Sequence, residues 1–128
     1  MKKLLLVILS VFAFGKFETG KSYSCEIVAF SNGNQLIKAS NLKPQTLKSV
    51  LKDLVNVKIK KEQKKYEVES GKYKDVFYYI GEKEWAKNYM TKTKDAILMV
   101  DKNNSSSQIG LFFRAKNNKV ISLFYNCK

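Results

Sequence analysis

The sequence predicts an α+β domain, in which one amphipathic helix over residues 44–55 packs on a strongly curved antiparallel β meander; a small lipocalin-like β-barrel is the alternative. Three observations point there. A single stretch has the 3.6-residue apolar period of a helix, almost everything after it alternates with a period of two, and four of the later segments are apolar on both faces. One helix of about three turns cannot cover both faces of a sheet. The sheet must therefore curl around its own core, or leave one face for a ligand or a second subunit.

The elements follow in order. KSYSCEIVAF, residues 21–30, reads as a strand with Tyr23, Cys25, Ile27 and Ala29 on one face, and the Asn32-Gly33 pair starts a hairpin into a short strand over 35–39. Leu47, Val50, Leu51, Leu54 and Val55 then recur at helical spacing behind Pro44, whose missing N–H costs nothing in a first turn. Lys48, Ser49, Lys52 and Asp53 fall on the outer face of that helix. From Val55 the period changes to two: Val57 and Ile59 alternate with Lys58 and Lys60, a polar turn spans 61–65, and Tyr66 and Val68 alternate with Glu67 and Glu69. Further strands are expected over 75–80, 85–91, 95–100, 108–115 and 119–127, the last two joined by a turn at Lys116-Asn117-Asn118-Lys119.

The first 15 residues read as a secretory signal peptide. Lys2-Lys3 precede an apolar run of 11 residues from Leu4 to Phe14, and Ala13 and Gly15 supply the small residues before a cut after Gly15. The run is shorter than the roughly 20 residues a membrane-spanning helix needs, so the expected mature chain, 16–128, is one exported domain, periplasmic or secreted, with no transmembrane segment. Removing 15 of the 128 residues and two of the 24 basic ones leaves 113 residues with 22 basic and 11 acidic side chains, a net charge of +11.

Export places Cys25 and Cys127 in an oxidising compartment, and they are expected to be bonded. Disulfide geometry brings Cα atoms within about 7 Å, so the first and last strands should be neighbours.

The absence of histidine excludes Ser-His-Asp and Cys-His nucleophiles and His-ligated zinc, and no cofactor is expected. The pairs Glu67/Glu69 and Glu82/Glu84 are spaced along strands at roughly 6.5–7 Å, a separation compatible with inverting glycoside hydrolysis, but lysines accompany both and no pocket signal does. Asp101-Lys102-Asn103-Asn104-Ser105 opens like a calcium loop, yet Ser106 and Phe112 stand where such a loop needs glycine and glutamate. The same five residues resemble the D/E-x-N-x-S/T acceptor of bacterial N-glycosylation, which makes Asn103 a candidate acceptor.

Twenty-three lysines beside the single Arg114 have a mutational explanation in AT-rich coding, and a functional one. Lys48 and Lys52 on the helix with Lys58, Lys60, Lys61, Lys64 and Lys65 on the following hairpin would make a patch for an anionic partner of the cell envelope. Export and the near absence of arginine argue against nucleic acid.

Tyr23-Ser24-Cys25, the loop Ser70-Gly71-Lys72-Tyr73 and the near-terminal Cys127 resemble the Y-x-C opening, S-G-x-x-Y loop and terminal cysteine of the C-type lysozyme inhibitors of bacterial periplasms. The loop here is one residue shorter, and the helix has no counterpart in that pattern. The resemblance implies a small β-barrel and inhibitory contacts made by Ser70 and Tyr73, with Lys72 on the same protruding loop.

The expected function is that of a non-catalytic exported binding protein. Its site would be a concave apolar surface between Leu47, Leu51 and Leu54 of the helix and Phe77, Tyr79, Ile97, Met99, Phe112 and Phe124 of the sheet. The occupant would be a hydrophobic ligand with an anionic head group held by rim lysines. An inhibitor of a cell-wall lytic enzyme is the alternative.

Overall fold

The computed structural model describes residues 17–31, 35–114 and 120–128; the expected signal peptide, the Asn32-Gly33 turn and the turn at 116–119 lie outside them. The described elements are β1 (Ser22–Ser31), β2 (Leu36–Lys38), a 3-10 turn (Ala39–Asn41), helix α1 (Pro44–Leu51), a second 3-10 turn (Lys52–Val55), β3 (Asn56–Lys61), β4 (Lys65–Ser70), β5 (Tyr73–Lys83), β6 (Ala86–Met90), β7 (Ala96–Asp101), β8 (Gln108–Arg114) and β9 (Val120–Cys127).

Every strand pairing is antiparallel, and from β3 to β9 each strand pairs with the next. β9 returns to pair with β1, whose other edge meets β3 along residues 22–26 and β2 along residues 29–31. Eight strands, β1 and β3 to β9, thus close into a barrel. This corrects the expected open meander in favour of the barrel alternative. An open sheet would leave two unpaired backbone edges, which closure of β9 on β1 removes. Cys25 and Cys127 face each other in that seam and are bonded across 102 residues of sequence.

Inward residues alternate along each strand and fill the lumen. Ile59, Tyr66, Val68, Phe77, Leu98, Leu111, Leu123 and Tyr125 are all buried there. The strict alternation expected for β1 holds as far as the outward Val28 and then fails at a bulge between Ile27 and Ala29, which puts Phe30 in the core in place of Ala29. A second bulge, between Tyr79 and Gly81, leaves Ile80 exposed; Gly81 there has φ of 136°, a conformation open chiefly to glycine.

The helix is shorter than expected, with residues 52–55 tightened into the 3-10 turn. It lies outside the barrel and closes one mouth instead of lying along a sheet face. Leu51 is buried, Leu47, Leu54 and Val55 pack partly against the core, Val50 is exposed, and the Tyr125 hydroxyl donates to the Leu54 carbonyl at 2.6 Å. At the opposite mouth Phe17 is buried edge-on against Tyr23 and Tyr66, Tyr66 meets Tyr89, and Tyr89 meets Tyr79. Such edge-to-face pairs add about 0.5–1.5 kcal/mol each beyond the area they bury.

Candidate functional site

The expected apolar surface does not assemble as drawn, because its residues divide between the two faces of the barrel wall. Phe77 is buried in the lumen and Leu51 belongs to the core, whereas Ile97, Met99, Phe112 and Phe124 occupy the alternate, outward positions of β7, β8 and β9. Tyr79 stands at a mouth against Tyr89. With the lumen filled, an internal ligand has no room.

A cleft of about 670 Å³ lies elsewhere on the helix, between α1 with its flanking turns and the outside of β1. It exists because β2 and β3 share one edge of β1 and part company at residues 27 and 28, where the helical connection bridges them. Ile27, Val28, Leu42, Leu47 and Val55 give it apolar walls, and Lys48, Lys52 and Glu26 give it charge. Asp53 also lines it, but its carboxylate is packed against Gly71, where any Cβ would run into it. The size is within the roughly 300–1,000 Å³ of small-molecule sites.

The seven lysines proposed as one patch are distributed over several surfaces. Lys48 and Lys52 belong to the cleft. Lys58 and Lys60 lie outward on β3, directly opposite Glu69 and Glu67 on β4, and Lys74 stands opposite Glu69 on the other side. That alternation of cross-strand charge neutralises much of the face. It also places Glu67 and Glu69 as surface carboxylates among lysines. Glu82 is opposite Lys87 in the register, and Glu84 is exposed in the β5–β6 turn. Lys61 is half-buried at the Phe17 mouth and donates to the Phe17 carbonyl at 3.2 Å; burial, then the neighbouring Lys87, holds its ammonium below the usual lysine range. Lys64 and Lys65 stay at the β3–β4 hairpin.

Ser70 is placed differently from a residue on a protruding loop. It is buried, and its hydroxyl donates to the carbonyls of Asp53 and Asn56. Only Gly71 and Lys72 separate β4 from β5, and the 3-10 turn covers them on one side. Tyr73 is half-buried edge-on to Phe113, with its phenol pushed up to about 12 by burial, then by Asp75 and Asp95. Lys72 is exposed.

Asn103 is exposed in the β7–β8 connection, where the Ser105 hydroxyl and N–H both bond to the Asp101 carboxylate and hold it below the usual carboxylate range. A further cleft of about 300 Å³, on the outside of β8 and β9, had no forecast from the sequence. Its lip carries Trp85, which is 53% exposed in the β5–β6 turn. A lone tryptophan in a turn is the signal that was available.

Comparison with protein-family models, with curated proteins and with solved structures finds no match to this chain.

Proposed function

We propose that this is a non-catalytic exported protein that binds an apolar chain with an anionic head group in the cleft between α1 and β1. The cleft itself carries the reading: it is large and walled by aliphatic side chains, and Lys48 and Lys52 at its rim can pair with an anionic head group beside the carboxylates of Glu26 and Asp53. The disulfide supports an oxidising compartment, and among the described residues no helix is long and apolar enough to cross a membrane. The absence of histidine and the lysines facing Glu67 and Glu69 support a role without catalysis.

Native mass spectrometry of protein purified from its own envelope tests the reading, together with calorimetry using dodecyl phosphate. A bound mass, and affinity that falls about tenfold on Lys48→Glu with Lys52→Glu and weakens with salt, are expected. A bare chain that also ignores dodecyl phosphate would overturn the reading.

A second reading, an inhibitor of a cell-wall lytic enzyme, is favoured by the closed barrel and its seam disulfide, features that the lysozyme-inhibitor resemblance implies. With Ser70 turned inward, Lys72 and Tyr73 would be its contacts. A turbidity assay with several lysozymes tests it directly.

A further inference from the structure

The α1 cleft has a neighbour. Val28, outward on β1 and 40% exposed, lines both the α1 cleft and the cleft beneath Trp85. The two concavities are therefore adjacent across a single side chain.

Their chemistry differs. Where the first cleft has aliphatic walls and two lysines, the second has the side chains of Trp85 and Phe124, the bare backbone of Gly110, and the polar groups of Asp101 and Gln108. Gly110 is required to be small, since a Cβ there would come within 2.9 Å of the Phe112 ring, which stands edge-on to Phe124 at 5.8 Å. The result is a shallow aromatic platform with hydrogen-bonding groups beside it. Among the described residues that line it there is no lysine, although lysine is the commonest charged residue of the chain. An anion has nothing to pair with there. A neutral ring with an apolar face and hydroxyls at its edge matches the platform: its C–H face covers the indole, and the Asp101 carboxylate and Gln108 amide take its hydroxyls.

Resting on the reading of the α1 cleft given above, we propose that the ligand is an anionic glycolipid, its chain and anionic group in the α1 cleft with Lys48 and Lys52, its junction at Val28 and its neutral sugar on the Trp85 platform. Trp85 is the single tryptophan of the chain, so its emission reports on the second cleft alone.

The test titrates the mature chain with dodecyl maltoside and with dodecyl phosphate, each below its micelle concentration, by calorimetry and by tryptophan emission. Dodecyl maltoside is expected to shift the emission and to lose about tenfold in affinity in Trp85→Ala, and in Gln108→Ala should that first variant fold poorly. Dodecyl phosphate is expected to bind wild type and both variants alike, without the emission change. Maltoside binding that leaves the emission unmoved, or that survives both substitutions, overturns the glycolipid and spares the α1 cleft. Failure of both dodecyl compounds to bind overturns the two together.

Discussion

The side-chain amide of Asn104 holds both backbone polar groups of Phe17. Its Oδ1 accepts from the Phe17 N–H at 3.0 Å and its Nδ2 donates to the Phe17 carbonyl at 2.9 Å. The carbonyl accepts a second bond from Lys61, and the ring is 2% exposed among tyrosines. The segment ahead of β1 is thereby fixed as a stopper in one mouth of the barrel. Asn104 can reach it because its backbone adopts φ of 53°, a left-handed conformation that asparagine tolerates.

Asn104→Gly keeps access to that backbone conformation while deleting the amide, and is expected to cost about 1–3 kcal/mol by leaving the Phe17 groups short of partners. Phe17→Ala is expected to cost about 3–5 kcal/mol. Urea unfolding measures both. A Phe17→Ala variant as stable as the wild type would mean that the segment does not plug the barrel.

The disulfide carries the seam between β1 and β9. With a sequence separation of 102 between its cysteines, the chain-entropy model assigns it about 4.7 kcal/mol, most of which reduction should remove. The expected outcome is a large fall in the urea midpoint with dithiothreitol, matched by Cys25→Ser with Cys127→Ser. Peptide mapping without reduction should recover the two cysteines linked. Free thiols in protein from an oxidising compartment would defeat both the bond and the closure argued from it.

Closure of the barrel was legible in the sequence, although it takes two of its signals read together. Adjacency of the first and last strands, required by a Cys25–Cys127 bond, combined with a run of consecutive hairpins, leaves no free edge except that of β2. The strands apolar on both faces point the same way: Leu98 and Leu111 fill the lumen while Ile97 and Phe112 cover the outside. Bulges were not legible. Alternation placed Val28 outward, but nothing local shows that Phe30 and not Ala29 follows Ile27 into the core; that shift depends on pairing with β9 far along the chain. Phe17 was hidden for a similar reason: it belongs to no periodic segment, and its hydrogen-bond partners lie 44 and 87 residues away. The split of β1 between β2 and β3, which makes the α1 cleft, is likewise a matter of long-range pairing.

The β4–β5 turn separates the two functional readings. Ser70→Ala removes the donor to two carbonyls and is expected to cost about 1–3 kcal/mol, and Gly71→Ala should cost at least as much because its new methyl meets the Asp53 carboxylate at a position with φ of 57°. Lys72→Ala, exposed, is expected to be neutral for stability. Should the chain inhibit a lysozyme, Lys72→Ala is therefore the informative variant. Inhibition lost in it, with the unfolding curve unchanged, would favour the inhibitor over the lipid binder.

Alkaline pH should unfold the barrel through its buried phenols. Burial raises Tyr66 and Tyr125 well above the usual tyrosine range, and Tyr73 up to about 12. The unfolded chain releases those protons near pH 10, whereas the folded chain keeps them, so their contribution to stability is complete below pH 10 and is lost as the pH climbs from there through the folded values. Lys61, lowered by burial and by Lys87, works in the opposite sense: its penalty fades as the pH rises past its depressed value toward 10.5. Two fully buried phenols outweigh one half-buried ammonium, so the net expectation is a urea midpoint that falls steadily above pH 10. Tyrosinate absorbance from the buried phenols should appear together with loss of the far-ultraviolet signal of the sheet. Tyr66→Phe is expected to flatten the pH dependence by about one proton. Ionisation of Tyr66 and Tyr125 near pH 10, with the sheet intact, would contradict the burial on which the filled lumen rests.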